Sequence, residues 1–266
     1  MDILGRKKIE IKRKKMKHNN CYIYPKCQRE IINGKRHYNI KSEKLPSVTT
    51  ILSATQSPEK TASLDAWRFR LKDNFIRVKD PTDPSGFTLI NEAEYITKQS
   101  GDRGTAMHKI LEDYIYEDGQ TLKAPTKELR LPHNMAIQVI QNGLSNVTEY
   151  YGLEATLYYP GLYAGATDVV GVHKGQDAII DFKQTNQPKK REWIEDYCLQ
   201  LAAYTMAHNF IYKTSISKGV IMMCSKQLEY QEFIIEGKEL QKYQHDFLRK
   251  VDQYYEHNKN VGVESK

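Results

Sequence analysis

The stretch YAGATDVVGVHKGQDAIIDFK, Tyr163 to Lys183, consists of two extended-backbone runs interrupted by Lys174-Gly175. Val169, Val170, Val172, Ile179 and Ile180 favour strand geometry, and a glycine tolerates the positive φ of a tight turn. A two-residue turn at Lys174-Gly175 sets Asp168 opposite Asp181, with Cβ atoms about 5 Å apart. Upstream, Pro160-Gly161 closes a third run, Leu153 to Tyr159, and a three-residue loop centred on Gly161 sets Glu154 opposite Asp168. Three carboxylates then line one face of a three-stranded meander.

Such a cluster is unfavourable alone, because neighbouring carboxylates raise one another's pKa and weaken the sheet. A divalent cation resolves the conflict, and all-oxygen ligation by carboxylate and water fits Mg²⁺ or Mn²⁺. Period-two alternation puts Lys183 on the face of Asp181 and turns Phe182 to the other layer. Ala166, opposite Lys183, and its neighbours Gly165 and Thr167 are small enough to admit a phosphate group. An isolated Asp-x-Lys at a strand edge is usually a solvated ion pair. Here the apolar run Ala178, Ile179 and Ile180 delivers Asp181 from a buried strand. The chemistry expected of this arrangement is phosphodiester hydrolysis assisted by metal and lysine.

Outward from the meander the chain divides into four parts. Residues 1–20 form a basic tail, with Arg6, Lys7, Lys8, Lys12, Arg13, Lys14, Lys15 and Lys17 relieved only by Glu10. It is read as a solubilising arm or a phosphate-backbone contact. Residues 21–45 form an accessory β-hairpin turning at Asn33-Gly34. Residues 46–150 form a helical part: a short helix from Ser47 to Leu52, a longer one opened by Pro58, one from Asn91 towards Asp118-Gly119, and one from Pro132 to Tyr151. In the second helix Leu64, Trp67, Leu71, Phe75 and Val78 make a core stripe, with Arg68 and Arg70 facing nucleic acid or solvent. Residues 151–266 carry the meander, a helix from Lys190 to Asn209, strands at Gly219 to Cys224 and Tyr230 to Ile235, and a C-terminal helix. Lys189, Lys190, Arg191 and Trp193 combine charge with an aromatic ring, suited to phosphate contact and base stacking.

At 266 residues and 39% hydrophobic content the chain is expected to be a globular α/β protein, a central mixed sheet flanked by helices with an N-terminal helical subdomain. The net charge of +7 favours a polyanionic partner. Cys21, Cys27, Cys198 and Cys224 form no CxxC pair and are read as ordinary thiols. No apolar run spans a bilayer or opens the chain as a secretory signal, so the expected setting is cytoplasmic, in a bacterial or virus-infected cell, with a mitochondrial destination as the alternative.

Five motifs in order resemble the PD-(D/E)XK nuclease superfamily, in its RecB-like exonuclease branch and most nearly the mitochondrial-type exonucleases and their viral relatives. Gly104-Thr105-Ala106-Met107-His108 is similar to the family's GTxxH helix, and Glu154 opens a strand like the one before its G-x-x-D. Gly165 to Asp168 resembles that motif itself, Asp181-Phe182-Lys183 its D-[WYF]-K, and Gln200-Leu201-Ala202-Ala203-Tyr204 its QLxxY. Pro46 to Leu52 resembles the opening of the mitochondrial-type branch. The resemblance implies a restriction-endonuclease-like core with Asp168, Asp181, Lys183, Glu154, Gln200 and Tyr204 catalytic. It implies His108, Asp168 and Asp181 on Mg²⁺ or Mn²⁺, while DNA contacts are expected from Thr105 and, on their charge and aromatic character, from Lys189, Lys190, Arg191, Trp193, Arg68 and Arg70. It further implies a DNA exonuclease acting as a monomer on single-stranded or free-ended DNA, alongside replication or recombination proteins. The alternatives are a structure-specific endonuclease on the same fold and a catalytically inactive single-stranded DNA-binding module. Gln184 departs from the Thr, Glu or Asp that relatives often carry after the lysine, and the cysteines do not match iron–sulfur relatives.

Overall fold

The computed structural model describes residues 16–119, 122 and 124–263. The basic block from Arg6 to Lys15 lies outside the described residues. At its end Lys17 belongs to a short strand and its ammonium pairs with Glu149 at 2.9 Å.

In chain order the elements are β1 (Lys17–His18), β2 (Gln28–Ile32), β3 (Lys35–Ile40), β4 (Glu43–Pro46), α1 (Val48–Ala54), α2 (Pro58–Arg70), β5 (Phe75–Lys79), β6 (Phe87–Asn91), α3 (Glu92–Tyr116) and α4 (Arg130–Asn142). There follow β7 (Val147–Tyr159), β8 (Tyr163–His173), β9 (Gln176–Thr185), α5 (Glu195–Tyr212), β10 (Lys218–Ser225), β11 (Tyr230–Glu236) and α6 (Gly237–Val263). Side-chain oxygens start three of the helices: Ser47 accepts from the Thr50 amide, Ser57 from that of Lys60, and Asn91 from that of Ala93. No helix among the described residues is long and apolar enough to cross a membrane.

A six-stranded mixed sheet runs β1-β7-β8-β9-β10-β11. β7, β8 and β9 form the antiparallel meander, and β9 pairs parallel with β10 through the crossover helix α5. The fold is thus α/β with a central mixed sheet between helices. Strand alternation divides the core. Val170, Ile179, Ile221 and Met223 pack with Leu201 of α5 and Phe247 of α6, whereas Val169, Ile180, Phe182 and Val220 pack with Met107 of α3 and Met135 of α4. The registers expected from the two turns hold on either side of the site, with Val169 opposite Ile180, Leu153 opposite Val169, and Ala155 opposite Thr167.

The helical part differs from expectation in two places. α2 stops at Arg70 and buries no residue, leaving Leu64 39% and Phe75 60% exposed, so the proposed core stripe is not one. Beyond it Ile76, Val78 and Ile90 prefer a two-stranded hairpin, β5–β6. Its connection is ordered by Asp80 and Asp83, whose carboxylates accept from the amides of Thr82 and Ser85. Likewise the helix from Pro132 ends at Asn142. Val147 and Tyr151, whose branched and aromatic side chains suit a pleated surface, begin β7 instead.

His208 of α5 is fully buried among Tyr22, Tyr24 and Tyr212, with Tyr24 Oη 3.2 Å from its Nε2. Burial pushes its imidazole down to about 4. The unfolded chain, titrating near 6.5, therefore binds more protons than the folded one as pH falls from about 6.5 to 4, and stability declines across that window by up to about 3 kcal/mol. Urea midpoints against pH should show this decline and its attenuation in His208→Gln; equal slopes for both chains would refute it.

Candidate functional site

Asp168 and Asp181 leave β8 and β9 on the α5 side of the sheet, Asp181 buried and the Asp168 side chain 11% exposed. The β8–β9 ladder ends one step before them, and side chains take over there. Thr167 Oγ1 donates to Ile180 O at 3.1 Å, and the Phe182 amide donates to Asp168 Oδ2. His108 reaches in from α3, its Nδ1 3.0 Å from Asp168 Oδ1. Glu154 lies beside them in the left-handed region, φ 46°, and this non-glycine strain turns its carboxylate to the site. One ligand atom each from His108, Glu154 and Asp168 fall within 4.8 Å of one another.

Asp181, expected among the metal ligands, stands outside that group. Lys183, two residues along and on the same face, forms an ion pair with its carboxylate. The Lys183 ammonium also lies 5.2 Å from the Tyr197 ring centre. Gln200 and Tyr204 follow on α5, with Gln200 Nε2 donating to Tyr204 Oη at 3.0 Å. A Cβ at Gly165 would come within 2.5 Å of the Tyr204 ring, so the glycine is what admits that ring.

The electrostatics follow from setting the more exposed Glu154 beside two acids with little access to solvent. Burial pushes the Asp168 carboxyl up, but the charge and hydrogen bond of His108, the Lys183 charge and the Phe182 amide outweigh it and hold the group below its ordinary value. At Asp181 burial wins over Lys183 and the net direction is upward. Glu154 is raised to about 7, by burial first and then by the Asp168 charge. Burial lowers the Lys183 ammonium, yet Asp181 and Asp168 more than reverse this, so it stays protonated. The neutral imidazole of His108 and the carboxylates of Glu154 and Asp168 form a donor set that fits a hard divalent cation, with Asp181 held beside them by Lys183.

These groups line a cavity of about 190 Å³ to which Arg29, Arg36 and Tyr38 of the β2–β3 hairpin also contribute. Sequence reasoning missed that contribution. Arg29 Nη2 is 3.8 Å from Glu154 Oε2, and the hairpin is brought there by a bridge between Ser47 and Ala164. A second cavity, about 420 Å³, shares Thr49 and Gln200 with the first and runs beneath α2, where Leu64 and Arg68 line it. Of the other residues named from sequence, Thr105 and Arg70 are exposed on α3 and α2. Lys190 lies over the exposed Trp193 ring at 5.3 Å, and the Lys189 backbone is gripped by Gln231. Arg191 is committed elsewhere, to Glu239 at 2.7 Å and Ile234 O at 3.1 Å.

Mitochondrial genome maintenance exonuclease 1 of Mus musculus is 28% identical over 229 residues, 84% of this chain and 63% of that protein. The Homo sapiens protein is 24% identical over 83% of this chain and 61% of its own length. The chain is similar to those exonucleases over most of its length. A Xenopus tropicalis protein of the same name is 28% identical over 68% of the chain and 49% of its own length. The chain thus spans about three fifths or less of each relative. No protein-family model matches the chain. A solved Eubacterium rectale structure aligns at TM-score 0.43 with 14% identity, covering 58% of this chain and 65% of that one, a likeness too distant to bear on the chemistry.

Glu154→Gly tests the donor set. Relief of left-handed strain, about 1 kcal/mol, is offset by the chain entropy of glycine, so metal-free Tm should hardly move. Differential scanning fluorimetry should show Mn²⁺ raising the Tm of the parent and not that of Glu154→Gly or Asp168→Asn. An equal Mn²⁺ response in all three would remove these residues from the metal site.

Proposed function

We propose that the chain is a metal-dependent nuclease that hydrolyses phosphodiester bonds of DNA, working as an exonuclease on single-stranded ends. The observation that carries this reading is the meeting of His108, Glu154 and Asp168 beside the Asp181–Lys183 pair in one cavity with Arg29 and Arg36. The exonuclease names of the similar proteins support it.

His108, Glu154 and Asp168 are the residues that would hold Mg²⁺ or Mn²⁺. When bound, such a cation supplies Lewis acidity for the phosphoryl group and acidifies water. Lys183, kept protonated by the two aspartates, places a hydrogen-bond donor and a positive charge where negative charge grows in the transition state. Asp181 orients that ammonium. Arg29 and Arg36 add cationic charge at the cavity mouth and draw the strand in. Thr105, Lys189, Lys190, Trp193 and Arg68 extend the nucleic-acid surface along the adjoining cavity and loop. Because α2 roofs that cavity without being packed into the core, a free end passed beneath it favours exonuclease action over internal cutting.

Lys183→Ala should lower turnover by about 100-fold or more while oligonucleotide affinity changes little, since transition-state stabilisation is lost and the contact surface is kept. Wild-type turnover by this variant would remove Lys183 from the chemistry. The functional reading itself is tested by digesting end-labelled single strands with each end blocked in turn, plus a covalently closed circle. Metal-dependent shortening from one end with an intact circle is expected. A nicked circle would establish an endonuclease, and binding with no nucleotide release would establish a non-catalytic module.

A further inference from the structure

Arg103 of α3 takes no part in the site described above, yet it is only 8% exposed. Its Nε donates to Gln184 Oε1 at 2.7 Å, and its Nη2 donates to Asn186 Oδ1 at 2.7 Å and Ser100 Oγ at 3.3 Å. Gln184 is itself fixed, donating from Nε2 to the backbone oxygen and hydroxyl of Ser100, each at 2.9 Å. Every acceptor is neutral. Among the described residues no carboxylate pairs with Arg103. Its Nη1 has no partner there and is not sealed from solvent.

A peg joining α3 to β9 needs hydrogen bonds but no charge, and a buried cation without an anion is disfavoured. A guanidinium held rigid on two nitrogens and open on the third has already lost the side-chain entropy that anion binding would otherwise cost. Arg103 lies five residues before His108 on one helix, about 7.5 Å along the axis. Asn186, its other partner, begins the loop leading to Lys190 and the exposed Trp193. Five residues also turn the helix by about 140°, and Gln184 projects from β9 on the α3 side, opposite Lys183, so a strand leaving the reaction centre would meet these groups only on passing round the C-terminal end of β9.

We infer that Arg103 is a fixed anchor for a backbone phosphate of the bound strand away from the scissile bond, with Gln184 and Asn186 holding the guanidinium fork and Nη1 offered to the phosphate oxygen. The inference rests on the nuclease reading only for the ligand, a single nucleic-acid strand. It also gives Gln184, the residue after Lys183 on β9, the task of setting the fork.

The test uses the full chain carrying Lys183→Ala, in EDTA, and fluorescence anisotropy with a labelled oligothymidylate of about 12 nucleotides, unmodified or with one methylphosphonate moved along it. Arg103→Gln should weaken binding and flatten the slope of log affinity against log salt by about 0.7, the share of one phosphate on a single strand. One methylphosphonate position should weaken the parent but not Arg103→Gln. Arg103→Lys, which keeps the cation but not the fork, should lose affinity several-fold at an unchanged slope. An unaltered slope and methylphosphonate profile in Arg103→Gln, whatever its Tm, would make Arg103 a structural peg and overturn the proposal. If Arg103→Gln does not fold, unchanged affinity in Arg103→Lys overturns it equally. Because binding is read without metal or cleavage, Arg103-dependent binding by a parent whose Lys183-intact form never cuts would overturn the nuclease reading alone.

Discussion

Two aspartates set side by side in a β-sheet repel each other, and the rest of the structure answers that repulsion. Lys183 compensates Asp181 from the same strand, and His108 compensates Asp168 from a helix on the other side of the sheet. The site is therefore complete only when α3 docks on β9, so the interaction that assembles the helical layer also balances the charge. Glu154 is left with a raised carboxyl and a strained backbone. Unresolved charge and local strain of this kind accompany function more often than they accompany stability.

The backbone makes room for this chemistry without losing rigidity. On one side of β9 the ladder to β8 gives way, and Thr167 and Asp168 replace backbone partners with their own side chains. On the other side the parallel ladder to β10 continues past the site, pairing Ile221 with Asp181 and Met223 with Lys183. One edge of the strand thus opens to ligand while the other fixes the position of the acid and the amine.

Much of this was legible in sequence because it depends on short-range rules. Turn length at Lys174-Gly175 and Gly161 determined the registers around Asp168, and alternation determined which of Asp181, Phe182 and Lys183 share a face. What stayed hidden was tertiary. Nothing near Arg29 or Arg36 signals that their hairpin docks beside the acids, since the contact is made by Ser47 and Ala164, far apart in sequence. Arg103 reads as one charge among many on a helix until its burial is known. α2 misled in the opposite sense, because helical spacing of Leu64 and Trp67 specifies a face but not whether anything covers it.

The central claim is that His108, Glu154 and Asp168 share one divalent ion beside Lys183. Diffraction from crystals grown with Mn²⁺, recorded at the manganese absorption edge, tests it most directly. The account predicts an anomalous peak within ligand distance of all three residues. A peak elsewhere, or a fully occupied ion that omits Asp168, would contradict it.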